Sequence, residues 1–323
     1  MAQYSYRPVL LSDVEELAAV QTISDGHDGR TWATTPRQFE EMLLKSYVDL
    51  QRDTIAAVDG SEMIVGFGFA TYDHGDGADP FVQLSGSTHP AHRGKGLGTH
   101  MVCHLEEVAE THLRTNGVLE AGGVRTFIFE GDAVRDSLLS DRGFTLARIW
   151  SEMSLTLPAY VNPRVLPSVT IVGWNDVDID VLYKVEQAAF RGQYAVTQLS
   201  FDAWLEYYDY PGFRPDLSFV AVDDEGEVLG LSWNYVDVAD FEVSGRKEGW
   251  IGQLAVAKEA RGRGIASCLC EHSFSAFRRD GLDFAMLAVD TDDSTGALRL
   301  YEGLGFERIH ASIAFEKTFW SGS

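Results

Sequence analysis

The sequence predicts an α/β protein made of two consecutive domains, each a mixed central sheet flanked by helices. Three observations carry this reading. The chain has 323 residues, enough for two ordinary domains. Its two halves repeat a set of landmarks in the same order. Within each half, short apolar strands are interspersed with single amphipathic helices, the pattern of a mixed sheet.

The first half opens with a helical stretch from Asp13 to Val20 and a second from Pro36 to Leu50. Thr54-Ile-Ala-Ala-Val-Asp-Gly-Ser-Glu-Met-Ile-Val-Gly66 then reads as strand, turn, strand: two apolar runs broken at Asp-Gly. Arg93-Gly-Lys-Gly-Leu-Gly98 turns into an amphipathic helix, Leu97 to Leu113. A strand (Val124 to Phe129), a short helix ending at Arg142-Gly-Phe144, and a last strand (Thr145 to Leu155) close the half.

The second half repeats this order. Helices from Asp178 to Ala189 and Ser200 to Tyr208 precede the strand–turn–strand Leu217-Ser-Phe-Val-Ala-Val-Asp-Asp-Glu-Gly-Glu-Val-Leu-Gly230. Arg261-Gly-Arg-Gly-Ile-Ala266 leads into a helix, Ile265 to Phe277. A strand (Phe284 to Val289), a helix ending at Leu304-Gly-Phe306, and a strand (Arg308 to Phe319) follow. Between the halves, Leu157-Pro-Ala-Tyr-Val-Asn-Pro-Arg-Val-Leu-Pro167 holds three of the nine prolines and reads as a linker. The expected domains are therefore 1–157 and 168–323.

Composition excludes several function classes. The 49 acidic against 26 basic side chains give a net charge of −23, which argues against nucleic-acid binding and against docking on anionic lipid. The charge divides almost evenly, −11 over residues 1–160 and −12 over 161–323, as expected of a solvated surface. There is no apolar run long enough to span a bilayer and no basic-then-apolar leader, so a cytoplasmic protein with no membrane partner is expected. Cys103, Cys268 and Cys270 have neither disulfide nor zinc spacing and are expected to sit buried or half-buried in helices.

The two glycine-rich turns carry the chemistry. Glycines let backbone N–H groups converge on an anion, and the helix N-terminus behind them adds partial positive charge. Neither turn is a P-loop, because no Gly-Lys-Ser/Thr ends it, and neither is followed by the ribose-binding acid of a dinucleotide fold. His89, His92 and His100 lie near the first turn without ligand spacing, so they read as surface residues and no metal site is expected.

Leu254-Ala-Val-Ala-Lys-Glu-Ala-Arg-Gly-Arg-Gly-Ile-Ala266 resembles the acetyl-CoA motif of GCN5-related N-acetyltransferases (GNATs), and so does Gly86-Ser-Thr-His-Pro-Ala-His-Arg-Gly-Lys-Gly-Leu-Gly98. Leu287-Ala-Val-Asp-Thr-Asp-Asp-Ser-Thr-Gly-Ala-Leu-Arg-Leu-Tyr-Glu-Gly-Leu-Gly-Phe306 is similar to the family's second signature. The resemblance covers both halves and implies a tandem GNAT protein: an N-acetyltransferase acting on a small-molecule amine, with acetyl-CoA as cofactor; the alternatives are a non-catalytic acyl-CoA-binding or sensor protein and a protein or peptide N-acetyltransferase.

By that resemblance, the backbone of Leu254, Ala255 and Val256 would pair with the pantetheine arm. The loop of Arg261, Gly262, Arg263, Gly264, Ala266 and Ser267 would hold the pyrophosphate, with Ser294 adding a hydrogen bond. Tyr301 falls where the family places the acid that protonates the leaving thiolate. The family's frequent base position is Trp250 here, so Glu248, on the same strand face, is the candidate base. Phe190, Arg191, Tyr194, Trp204, Tyr207, Tyr208 and Tyr210, with Asp237, Asp240 and Glu242, read equally as an amine-binding set or as core and surface. In the first half Thr88, Arg93, Gly94, Gly96 and Gly98 keep the cofactor pattern, but Leu139 stands where the second half has Tyr301. The first domain is therefore expected to lack standard catalysis, and the protein to be a monomer or homodimer.

Overall fold

A computed structural model describes residues 4–30, 34–72, 80–194, 196, 198–292 and 296–319. The first half of the chain forms β1 (Ser5–Arg7), α1 (Val14–His27), α2 (Pro36–Leu43), α3 (Leu50–Asp53), β2 (Thr54–Val58), β3 (Ile64–Thr71), β4 (Phe81–Thr88), α4 (Leu97–Thr115), β5 (Gly123–Phe129), α5 (Ala133–Asp141) and β6 (Thr145–Thr156). The second forms β7 (Thr170–Gly173), α6 (Ile179–Phe190), α7 (Phe201–Tyr208), β8 (Phe219–Val222), β9 (Val228–Tyr235), α8 (Val238–Ser244), β10 (Glu248–Val256), α9 (Ile265–Arg279), β11 (Phe284–Asp290), α10 (Ala297–Gly303) and β12 (Glu307–Thr318).

Helix starts follow local chemistry. Thr35 caps α2 by accepting from the Gln38 amide, and Pro36 fills the first turn, where no N–H is needed. Asp178 and Ser200 cap α6 and α7 in the same way. The single helix expected from Pro36 to Leu50 is instead two, because the Asp49 side chain caps a separate turn, α3.

The described residues divide into two units, one comprising 4–72, 80–149 and 312–319 and the other 150–311. In unit 1, β1, β2, β3 and β4 are joined antiparallel in sequence, and β5 pairs parallel with β4. In unit 2, β7, β8, β9 and β10 repeat the antiparallel series, and β11 pairs parallel with β10. Even an irregularity is shared: register shifts at Ala57/Val58 in β2–β3 and at Ala221/Val222 in β8–β9. The chain is thus a mixed α/β protein with the same sheet built twice.

The sixth strand of each sheet departs from the expected division into halves. Unit 1 is completed by residues 312–318 of β12, antiparallel to β5, and unit 2 by residues 150–156 of β6, antiparallel to β11. Burial fixes the exchange. Phe315 packs into the cluster of Val124, Ile128 and Phe144, whereas Met153 packs with Leu287, Phe306 and Tyr301. Arg125, 5% exposed, donates to Glu316 at 2.7 Å and locks the register of β12 on β5. Cys268 and Cys270 are buried and Cys103 is half-buried, all as free thiols.

Candidate active site

Parallel strands that part create the site. In unit 2, β10 and β11 are paired from Glu248↔Phe284 to Trp250↔Met286, after which both continue but no longer meet. The outer edge of β10 stays bonded to β9 as far as Val256↔Gly230, so its inner edge over Leu254–Val256 faces the gap with backbone groups to offer. An extended, amide-bearing chain can complete that edge as a further strand would. Between Ile251 and Gln253 the β9–β10 register shifts at Gly252, a bulge where an added Cβ would lie 2.3 Å from the Trp233 ring.

The gap opens into a cavity of about 300 Å3 that joins three elements: Leu254–Val256, the loop at Arg261, Gly262 and Gly264, and Leu300 and Tyr301 of α10. Gly262 and Gly264, which line the cavity, have φ of +76° and +82°, a backbone conformation that L side chains rarely adopt and glycine adopts freely. α9 begins at the next residue, with no acid in its first turn, leaving its positive end available to an anion. Arg261 anchors the loop, donating to the carbonyls of Val256 (3.3 Å) and Ala189 (3.1 Å). Ala266 and Ser267 line the cavity, whereas Arg263 is exposed on the loop. Tyr301 is 8% exposed, its ring 5.9 Å from that of Phe306, and it is the phenol brought to this cavity. Ser294 lies outside the described residues.

Unit 1 keeps the cleft and changes its chemistry. Pairing of β4 with β5 runs from Phe81↔Gly123 to Leu84↔Thr126 and then stops, and the cavity beyond, about 570 Å3, includes Thr88, Arg93, Gly94, Gly96 and Gly98. Gly94 and Gly96 repeat the positive φ. The β3–β4 register, however, runs from Gly66↔Thr88 to Thr71↔Gln83 without a bulge. Leu139 lines the cavity where unit 2 has Tyr301.

The Arg93 side chain is spent on structure, donating to Asp28 at 2.6 and 2.9 Å, to Ser24 at 2.6 Å and to the Thr88 carbonyl at 3.2 Å. Burial raises the Asp28 pKa, but the hydrogen bonds from Arg93 and His27 outweigh it and hold the carboxyl at about 2. Nearby, His92 contacts the Tyr4 hydroxyl, His89 accepts from the Ala91 amide and His100 stacks on Tyr6. No group of three metal-ligating side chains occurs among the described residues.

The remaining expected residues of unit 2 separate into distinct places. Trp204 (fully buried) and Tyr208 (6% exposed) are core, both donating to the buried carboxyl of Glu186. Phe190 lines the cavity shared by the Arg261–Gly264 loop and Tyr301, and Arg191 and Glu242 are exposed. Tyr194 lies against Trp150 (ring centroids 5.7 Å apart) and Tyr210 donates to Asp237 at 3.0 Å; Asp240 is half-buried on α8. The side chain of Tyr207 lies outside the described residues. Glu248 accepts from Arg246 at 2.5 Å, which commits Oε1 to a guanidinium that also donates to Ser154 (2.9 Å) and lies 3.6 Å over the Phe284 ring. Trp250, the position that the resemblance aligns with a base, stacks on Tyr235, with ring centroids 5.8 Å apart.

Three residues of unit 2 have no signal in the sequence: Arg246 and Glu152 on the sheet beside the gap, and Glu186 in the core with Trp204 and Tyr208. Arg246 and Glu186 carried no motif. Glu152 belongs to a strand that the sequence assigns to the other half.

A model of the acetyltransferase (GNAT) family matches residues 18–122 and again 179–306. Among curated relatives, the mycothiol acetyltransferase of Frankia casuarinae is 30% identical over 245 residues, covering 73% of this chain and 68% of that protein. The mycothiol acetyltransferase of Salinispora arenicola is 26% identical over 323 residues, covering 96% and 94%. Among solved structures, a GCN5-related N-acetyltransferase from Sphaerobacter thermophilus superposes with a TM-score of 0.76 at 21% identity, covering 99% of this chain and 97% of that one. A tandem GNAT protein of the clavulanic acid biosynthesis pathway gives 0.74 at 15%, covering 99% and 100%. Two family matches, one per copy of the sheet, and relatives spanning nearly the whole chain lead to one conclusion: this protein is a tandem member of the GNAT family, an acyltransferase.

Proposed function

We propose that the protein is an acetyl-CoA-dependent N-acetyltransferase that moves an acetyl group to a primary amine of a small molecule, by direct transfer in a ternary complex in unit 2. The observation that carries this reading is the meeting of Tyr301 with the Gly262–Ser267 loop and the free edge of Leu254–Val256 in one cavity. Acetyl-CoA supplies the activated acetyl group as a thioester. The loop amides and the α9 N-terminus hold its pyrophosphate, the β10 edge pairs with the pantetheine amides, and Tyr301 protonates the departing thiolate. Rate comes first from proximity, because amine and thioester are presented to each other in fixed orientation. Unit 1 binds the same kind of ligand without turning it over, since Leu139 has no proton to give.

Small-molecule specificity is favoured by the mycothiol acetyltransferases among the relatives. The aromatic surroundings of Trp150, Tyr194 and Trp250 suit a cationic acceptor. The test is release of CoA thiol from acetyl-CoA against amino sugars, polyamines, amino acids and peptides. Acceptance of a soluble amine supports the reading. Tight acetyl-CoA binding with every amine leaving the thioester intact would instead make the protein an acyl-CoA sensor. Turnover of peptides alone would make it a peptide N-acetyltransferase.

A further inference from the structure

Residues 150–156 of β6 bring to unit 2 a carboxyl group that no motif announces. Glu152 lies opposite Ala288 of β11, and Ser154 lies opposite Met286, the β11 residue that makes the last pair with β10. Glu152 therefore sits one step along the sheet from the closed end, where β10 and β11 begin to part. Strand alternation puts Trp150, Glu152 and Ser154 on one face and Met153 and Leu155 on the other. Met153 and Leu155 pack in the cluster that holds Tyr301, so Glu152 and Tyr301 approach the gap from opposite faces of the sheet.

The Glu152 face is open at this point. Ala288, in a central strand, is exposed, and so is the bulge residue Gly252. Toward the closed end Arg246 covers the sheet through its contacts with Ser154, Glu248 and Phe284. Toward the open end stand Trp150 and, against it, Tyr194. The Glu152 carboxyl, half-buried, has no hydrogen-bond or ion-pair partner among the described residues, whereas Glu248 is already committed to Arg246.

We propose that Glu152, rather than Glu248, is the group that takes the proton from the acceptor amine. This rests on the acetyl-transfer reading above. An ammonium ion entering from this face gives one proton to Glu152, and the freed nitrogen lone pair forms a bond to the thioester carbon. The C–S bond breaks, Tyr301 gives its proton to the sulfur, and the second proton lost from nitrogen restores Tyr301. The products are the amide and CoA thiol, with the remaining proton passing from Glu152 to water. Burial, and secondarily the charge of Glu248, raise the proton affinity of Glu152, which suits a group that must accept a proton near neutrality. The charged groups around it are Glu248 and Arg246 at the β10 edge and Asp290 at the far end of β11. On β12, whose residues 307–311 belong to the same unit, the ionisable side chains are Glu307, Arg308 and His310.

The experiment is a pH profile of kcat and kcat/KM for wild type, Glu152→Gln, Glu152→Asp and Glu248→Gln with an amine that wild type acetylates. Glu152→Gln is expected to lower kcat by about 10²–10⁴-fold, the usual contribution of a positioned base. Its acetyl-CoA affinity should stay unchanged, and its rate should climb with pH as solution supplies the free amine. Glu152→Asp should recover part of the loss, and stands in if Glu152→Gln does not fold. A Glu152→Gln enzyme with wild-type kcat and an unchanged acid limb overturns the assignment, as does loss of that limb in Glu248→Gln alone. Absence of turnover by wild type with every amine overturns the acetyl-transfer reading itself, and the assignment with it.

Discussion

Glu186 offers a stability prediction whose sign and size follow from its surroundings. It is 5% exposed on α6, among Trp204, Tyr208 and Leu182, and it accepts from the Trp204 indole at 2.8 Å and from the Tyr208 hydroxyl. Burial raises its pKa; the two hydrogen bonds oppose this but do not cancel it, and the carboxyl is pushed up to about 7 from 4.5. The folded state therefore holds a proton that the unfolded chain releases. The resulting stabilisation is complete below about pH 4.5 and is lost as pH rises through 7. At 1.36 kcal/mol per unit, the loss amounts to about 3 kcal/mol. Glu186→Gln keeps an acceptor for both donors without the titration. It should match wild type near pH 4.5 and exceed it at pH 8 by about 3 kcal/mol, a Tm difference on the order of 6–12 °C for a unit of this size. Thermal unfolding of both proteins across pH 4.5–8 measures the difference, in which the other titrating groups cancel. A gap that is constant with pH, or a variant less stable than wild type at pH 8, would show that Glu186 is not held protonated by burial.

Two further predictions concern the duplicated architecture. Gly96→Glu and Gly264→Glu impose the same backbone strain, since φ is +83° and +82°, and each puts a carboxylate at a glycine-rich loop. Thiol release should survive the first and be lost in the second; equal losses would sink the assignment of catalysis to unit 2. Phe315→Ala, in the last strand of the chain, should cost about 3–5 kcal/mol and raise hydrogen exchange in Gly123–Phe129 rather than in Phe284–Asp290. Exchange rising in the second segment would contradict the strand assignment.

Much of this was legible in the sequence because it is local. The turn at Arg261–Ala266 needs glycine wherever φ is positive, and the structure has positive φ at Gly262 and Gly264 as at Gly94 and Gly96. Tyr301 stands out in the sequence through the resemblance of Leu287–Phe306 to the family's second signature, and it lines the cavity with the loop. What depends on which surface an element meets was not legible. The alternation in Thr145–Thr156 fits the edge of either sheet, so the exchange of β6 and β12, and with it the position of Glu152, needed the tertiary structure. Trp204 and Tyr208 stand four apart on a helix, a spacing equally good for a ligand-binding face or for core; burial around Glu186 decides for core. Glu248 lies near the family's base position in the sequence, but the strand pattern does not show its competing partner two residues away, Arg246.

The most direct test of the central claim is mass-spectrometric detection of acetylated amine and free CoA from acetyl-CoA, comparing wild type with Tyr301→Phe. The phenyl ring fills the same space beside Phe306 but has no proton for the thiolate. Acetylated product from wild type, with a kcat about 10²–10⁴-fold lower in Tyr301→Phe and unchanged acetyl-CoA binding, is the predicted result. Equal product from both proteins, or product that disappears only when unit 1 is altered at Gly96, would rule out Tyr301 as the acid and unit 2 as the site of transfer.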